Sequence, residues 1–314
     1  MALESLRSEG AGIGPISLRP FFSERIWGVE KLPVWYPQPQ AGKPVGEAWL
    51  TAESCVVDAG EFAGVSLAEM TRRFPEQFAG GPSAEFPLLV KTLFPREKLS
   101  VQVHPNDAQA AALGLGRGKT ECWYVLSAEP GAELALGFRE PFPEDEIRAA
   151  IAAGTLEQML KYLPVKTGDM VFVEAGTVHS IGPGMVILET QEYSDITYRL
   201  YDFGRPRELH VDAGLAVTRI SSHAGLVAPV AMDGFERLVA SEYFVVDRFA
   251  ASAEGRSLGL SGKMQMLFAL GESLTVTSQR GSTPLAPWHV LLLPAEGVEY
   301  SLHGAGQVIR IAQP

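Results

Sequence analysis

The sequence predicts a mainly β chain, a sandwich or barrel carrying a few helices. Two observations lead there. Runs of β-branched, aliphatic and aromatic residues, many bounded by Gly or Pro, recur along most of the chain, the pattern of short strands in all-β architectures. Helical periodicity is confined to the first two thirds, so helices are expected to decorate a β core rather than to build it.

Taken in chain order, the first helical signal is Ser66-Leu67-Ala68-Glu69, a capping box ahead of Met70 and Phe74. Strand runs follow at "FPLLVKTLF" (86–94) and "KLSVQVHP" (98–105), then a helix-prone insert, "NDAQAAALGLGRG", then the strand "CWYVLSA" (122–128). "EDEIRAAIAAG" places Ile147 and Ile151 one helical turn apart, and "TLEQMLKYL" continues that pattern with Leu156, Met159, Leu160 and Leu163 on one side. "DMVFVEAG" (169–176) and "MVILETQ" (185–191) are the next strands. Residues 205–240 carry few strand signals. Beyond them lie "YFVVDRFA", "MQMLFALG", "LTVTS", "HVLLLPAEG" and "GQVIRIA". This organisation puts a boundary near 225, giving segments 1–225 and 226–314, with no sequence repeat between them.

Residues 113–124, "LGLGRGKTECWY", end a glycine-rich run in Gly-Lys-Thr and so raise the question of a nucleotide phosphate loop. That loop needs a glycine five positions before Gly118, and a helix after it. Leu113 holds the glycine position, and Cys122-Trp123-Tyr124-Val125 reads as strand, so the nucleotide reading fails and Lys119 and Glu121 need another purpose.

With 46% hydrophobic and 20% charged residues the composition is that of a globular protein. The net charge of −11 disfavours nonspecific binding to nucleic acid or anionic membranes, which depends on a basic surface. An anionic ligand therefore needs a local basic pocket. No apolar run reaches the roughly 20 residues of a membrane span, and with only Cys55 and Cys122 and no visible secretory signal a reduced, cytoplasmic protein is expected. Oligomeric state is not readable from these features.

Strand alternation over "LSVQVHP" sends Leu99, Val101 and Val103 one way and Ser100, Gln102 and His104 the other. In "GDMVFVEAGTVHSIG", Glu174-Ala175-Gly176 turns the chain and His179 follows, while Glu121 precedes an apolar strand. Each of these residues alone also fits an ordinary half-exposed strand position. Together two imidazoles, a carboxylate and an amide oxygen make a mixed N/O donor set suited to zinc, manganese or iron. His210, His223, His289 and His303 lack such surroundings.

The stretches "RPFFSERIWG", "VGEAWLTA", "FPLLVKTLFPREKLSVQVHPND", "GKTECWYVL", "AGTVHSIG" and "ETQEYSDITYRLYDFGR" resemble, in order, the successive signatures of the type I phosphomannose isomerases, the small bacterial form built from cupin barrels. The resemblance runs from about 17 to 215 and is only general beyond. It implies two cupin-type β-barrels (jelly roll) with a helical insertion in the N-terminal part, the C-terminal one without a metal site. Two departures from the general cupin pattern stand out: Gln102 where the first histidine is usual, and Glu174 in place of a proline.

What the resemblance implies is a metal-dependent aldose-ketose isomerase interconverting mannose 6-phosphate and fructose 6-phosphate through an enediol. The implied ligands of one divalent metal per chain, zinc with manganese or iron as alternatives, are Gln102, His104, Glu121 and His179. Arg199 matches the family's active-site arginine, and Lys91 and Lys119 fall in the same site. Lys91 also interrupts an apolar strand, where an unpaired lysine is costly, so it should face a polar pocket. Glu189 and Lys119 are candidates for moving the proton. Gln191, Ser194, Asp195 and Asp202 are expected to orient His179 or Arg199, and Trp49 and Trp123 to be core aromatics. A two-histidine, one-carboxylate cupin iron oxygenase and a noncatalytic sugar-phosphate sensor are the competing readings.

Overall fold

The computed structural model describes residues 13–38, 44–82, 85–259, 262–296 and 299–314. The chain divides into two compact units, one of Met1–Phe21, Leu50–Pro87 and Val230–Pro314, the other of Phe22–Trp49 and Leu88–Pro229. A break between 229 and 230 lies close to the sequence boundary near 225. The segments up to Phe21 and Leu50–Pro87 nevertheless belong with the C-terminal unit, because strand Ile16–Arg19 pairs with both Val290–Leu293 and Val56–Val57. Pairing across that sequence distance leaves no local trace.

The unit that carries the candidate site consists of two antiparallel sheets. One has seven strands in the order Gly225–Leu226, Met170–Val173, Glu121–Ala128, Met185–Glu192, Leu88–Leu93, Val45–Trp49 and Phe21–Val29. The other has five, Tyr198–Tyr201, Val101–Val103, His179–Ile181, Glu133–Phe138 and Leu160–Pro164. Trp123, Val125, Val171 and Ile187 of the first sheet pack against Leu134, Leu136 and Ile181 of the second in one buried cluster. Each large side chain removed from water there contributes about 1.5–3 kcal/mol. The outer face of the five-stranded sheet is covered by helices Glu144–Ala153 and Val211–Val217, whose Ile147, Ile151, Leu215 and Val217 pack on Val101, Val103 and Leu200.

The other unit repeats the two-sheet plan with eight and four strands. Phe249, Leu267 and Leu291 meet Leu274, Val276 and Leu302 in its core. Its buried Asp247 is held by Arg310 at 2.6 Å and by Arg237. The protein thus has the mainly β, two-barrel cupin-type architecture expected from its sequence, with helical insertions.

Several local expectations meet their physical outcome here. Ser66 caps helix Leu67–Arg73 by accepting the Glu69 N–H, but Glu69 turns to Arg72 and Arg73 instead of completing the box. The reciprocal box forms at the insert, where Asn106 and Gln109 cap helix Asp107–Ala112. "TLEQMLKYL" does not continue the preceding helix. Gly154, with φ of 71°, ends that helix, and after one 3₁₀ turn Leu160–Pro164 pairs as an edge strand with Glu133–Phe138. Leu99 precedes the strand that begins at Val101, so alternation does not reach it; it packs between the sheets, apart from Val101 and Val103. Among the described residues no helix is long and apolar enough to cross a membrane.

Candidate active site

The two facing sheets each present one row of polar side chains. Across the five-stranded sheet, His179 pairs with Gln102, and Gln102 with Arg199. Across the seven-stranded sheet, Trp49 pairs with Lys91, Lys91 with Glu189, and Glu189 with Trp123, while Glu121 pairs with Gln191. Period-two alternation sends the intervening residues into the apolar layers. Val101 and Val103, on either side of Gln102, are fully buried under the helices.

His104, Glu121 and His179 converge, with one ligand atom from each within 4.8 Å of the others. His104 Nδ1 lies 2.7 Å from the Ile196 carbonyl and His179 Nδ1 2.9 Å from that of Thr177. Since a carbonyl only accepts, both rings carry their proton on Nδ1 and turn the Nε2 lone pair inward. Burial, reinforced by the Lys119 charge, holds the His104 imidazolium well below its usual range, and burial lowers His179 to about 4. Both rings are thus neutral near pH 7, as metal ligation requires. The Glu121 carboxylate is fully buried; Oε2 pairs with Lys119 Nζ at 2.8 Å, while Oε1 lies 3.3 Å from His179 Nε2 and 3.8 Å from His104 Nε2. Oε1 and two inward Nε2 lone pairs meet with no proton between them, which is costly unless something electrophilic joins them, so this donor set fits a divalent cation.

Lys119 reaches this cluster through its loop. Gly114 and Gly116 take positive φ, and Gly118 approaches the Asn106 backbone so closely that a Cβ would lie 2.4 Å from it. The Lys119 N–H donates to the Pro105 carbonyl, and its ammonium lies 3.3 Å from His104 Nε2. Burial opposes the charge of Lys119, but Glu121, Glu189 and Asp195 outweigh it and raise its pKa. Glu189 is buried, accepts from Trp123 Nε1 at 3.2 Å and lies 3.9 Å from Lys91. Burial and the Glu121 charge raise its pKa against the pull of Lys119. Lys91 donates to Asp195 at 2.8 Å and stacks on the Trp49 ring at 4.3 Å, so Trp49 is a cation partner rather than a core aromatic. Trp123 is fully buried and meets His179 edge-on.

A cleft of about 420 Å³ opens onto Gln102, Lys119, Glu189, Lys91 and Arg199, within the size range of small-molecule sites. Every residue the sequence singled out as catalytic or substrate-binding lines it. The groups expected to orient His179 or Arg199 act elsewhere: Gln191 donates to the Ser194 and Glu192 carbonyls, Asp195 pairs with Lys91, and Asp202 holds Arg205 and Arg207. Backbone carbonyls orient both imidazoles, and carbonyls carry no sequence signal. His210, set aside in the sequence, accepts the Arg199 backbone N–H on Nδ1 at 3.1 Å. Arg25, Glu47 and Arg207 also line the cleft; the clustered arginines of "GRPRELH" were the one available hint of Arg207.

The arrangement is that of a two-sheet cupin-type domain with a cation-lined cleft whose Gln102 and Lys119 adjoin a buried His-Glu-His cluster able to hold a metal. Comparison with known proteins gives the family. Residues 16–135 match the family described as phosphomannose isomerase type I, catalytic domain. Mannose-6-phosphate isomerase of Streptococcus mutans serotype c (strain ATCC 700610 / UA159) is 39% identical over 251 residues, 76% of this chain and 79% of that protein. Mannose-6-phosphate isomerase ManA of Bacillus subtilis (strain 168) is 39% identical over 66% of this chain and 69% of that one. A crystal structure of the mannose 6-phosphate isomerase from Bacillus subtilis superposes with a TM-score of 0.84 at 28% identity, covering 95% of this chain and 99% of that chain. The chain belongs to the type I phosphomannose isomerases.

Proposed function

We propose that the chain interconverts mannose 6-phosphate and fructose 6-phosphate with one divalent metal, zinc, bound by Gln102, His104, Glu121 and His179. The observation that carries this reading is the buried Glu121 Oε1 facing two inward imidazole lone pairs, beside the cleft residues Gln102 and Lys119. Neutral nitrogen and carboxylate oxygen donors suit zinc, with manganese or iron as the alternatives a metal analysis would reveal. Gln102 places its Nε2 3.2 Å from His179 Nε2 and its Oε1 3.3 Å from Ser100 Oγ. A half-turn of the amide exchanges the two atoms, bringing the oxygen to the cluster and leaving Ser100 as an acceptor.

Aldose-ketose isomerisation moves a proton between C1 and C2 while the carbonyl oxygen gains negative charge. A divalent metal held by Gln102, His104, Glu121 and His179 would supply a Lewis acid for that charge. Lys119, kept cationic by its carboxylate neighbours, donates to the developing oxyanion and so stabilises it. That assigns the proton transfer to Glu189, whose raised proton affinity brings it nearer the operating pH, where a carboxylate both takes and returns a proton. Trp123 fixes one Glu189 oxygen and leaves the other beside Lys91. Arg199 and Lys91 bind the substrate. The cations around the cleft suit a phosphorylated sugar better than the substrate of an iron oxygenase, and the acid-base pair gives a mere sensor no use for it. A cytoplasmic location accords with Cys55 and Cys122 being buried thiols.

The test is metal analysis coupled to an isomerase assay on mannose 6-phosphate before and after chelation. The expected result is turnover lost with the metal and restored by zinc. A folded, metal-loaded sample that leaves both hexose phosphates unchanged would overturn the reading.

A further inference from the structure

We infer that Glu192 is a positioning residue for the isomerisation: its carboxyl, together with that of Asp107, clamps the backbone of Gly118-Lys119-Thr120 and thereby sets where the Lys119 ammonium stands. The inference rests on the isomerase reading and deepens it by a residue that lies outside the cleft.

The Lys119 side chain is long and rotatable, so its ammonium keeps its 2.8 Å distance to Glu121 Oε2 and 3.3 Å to His104 Nε2 only if its own backbone is fixed. The chain just before it does little of that fixing. Leu113 and Leu115 are exposed, and a Cβ at Gly114 or Gly116 would meet no atom within 4 Å. Close contacts begin at Gly118, where three successive backbone N–H groups each meet an acceptor. Gly118 donates to Asp107 Oδ1 at 2.7 Å, Lys119 to the Pro105 carbonyl at 2.9 Å and Thr120 to Glu192 Oε1 at 2.7 Å.

The last of these stands in for a ladder bond. Strands Met185–Glu192 and Glu121–Ala128 pair as far as Gln191 opposite Glu121, which sets Glu192 opposite Thr120. Glu192 N–H still donates to the Thr120 carbonyl at 3.1 Å. The Glu192 carbonyl, however, accepts from Gln191 Nε2 at 3.2 Å, and the Thr120 N–H goes to the Glu192 carboxyl instead. A side chain thus closes the end of this pairing at the residue between Lys119 and Glu121.

The two carboxyl groups that hold Gly118 and Thr120 also hydrogen-bond each other. Two carboxylates in contact repel, and a single proton between them turns that repulsion into an O–H···O bond. Burial, with Asp107 adding to it against the pull of the Thr120 N–H, raises Glu192 to about 7, so Glu192 is the member that carries the proton and Asp107 accepts it. Asp107 is anchored in turn by the capping box of helix Asp107–Ala112. Glu192 does not line the cleft, but it lies on the strand that carries Glu189. One strand therefore bears the proton-transferring carboxylate and, through the clamp, fixes the donor to the developing oxyanion.

Glu192→Leu, Glu192→Gln and Asp107→Ala test this in the zinc-loaded full chain. Glu192→Leu keeps the bulk and removes both side-chain bonds; kcat for mannose 6-phosphate should fall by roughly ten- to hundredfold, the cost of an ångström-scale misplacement, with KM moving far less. Glu192→Gln accepts from Thr120 and donates to Asp107, so its kcat should stay close to that of the wild type. In a Lys119→Met background the Glu192→Leu change should cost little more, because both changes act through one ammonium. Additive losses, a loss confined to KM, or a kcat restored by excess zinc would overturn the assignment, the last because Glu192 would then serve the metal site rather than Lys119. If Glu192→Leu does not fold, Asp107→Ala decides at an exposed position: a lower kcat with KM little changed supports the clamp, and a wild-type kcat removes it. If the wild type does not turn over mannose 6-phosphate, the isomerase reading fails by itself. Amide hydrogen exchange of peptides spanning 118–121 then decides the clamp: faster exchange in Glu192→Leu than in wild type and Glu192→Gln supports it, and equal exchange removes it.

Discussion

Replacing Lys119 by Met removes the ammonium and keeps most of the stem, so the change isolates charge. Lys119 is almost fully buried, 2.8 Å from Glu121 Oε2 and 3.3 Å from His104 Nε2. At an effective dielectric of about 20, a pair 2.8 Å apart attracts by about 6 kcal/mol. Desolvation offsets part of this, and breaking one side of a buried pair costs about 3–5 kcal/mol. The metal-free variant should lose that amount of unfolding free energy. The loaded variant should lose less, because the bound cation still faces Glu121. Turnover on mannose 6-phosphate should fall by roughly a hundred- to ten-thousandfold, the range for one positioned proton or charge donor. Denaturant unfolding with and without chelator, metal content and steady-state kinetics on the same preparations check the three statements. Wild-type turnover in Lys119→Met at equal metal content would refute the role given to this lysine.

Two more outcomes follow from the same structure. Glu192, buried and accepting the Thr120 N–H at 2.7 Å, is raised to about 7 by burial. The folded state therefore keeps a proton that the unfolded chain releases near 4.5, and stability falls as pH rises from 4.5 to 7. Glu192→Gln should match wild type near pH 4.5 and be the more stable at pH 8 by denaturant midpoint; an equal effect at both values would show that the carboxyl does not titrate there. Leu134→Ala, at a fully buried position between the sheets, should cost about 2–5 kcal/mol of unfolding free energy, and a loss well below this would mean the core closes over the cavity.

Most strands were legible because alternation and Gly or Pro punctuation are local. Leu274–Ser278 coincides with "LTVTS", and the strand within "MQMLFALG" runs Gln265–Leu270. Residues 155–163 misled because their apolar spacing satisfies a helix and an edge strand alike; the left-handed Gly154 and pairing with Glu133–Phe138 decided between them. The segment 205–217 showed little, since its helix Val211–Val217 is short and owes its place to packing on the five-stranded sheet.

The sequence by itself determined the β class, the donor types able to hold a metal and, through ordered motifs, the family. Those are properties of residue identity and spacing. Only the tertiary structure decided that a buried Glu121 oxygen meets His104 and His179, that backbone carbonyls set both imidazole tautomers, and that Arg207 lines the same cleft as Arg199. Each depends on strands far apart in the chain being brought into register across two sheets, and that register is set by the burial of the whole core.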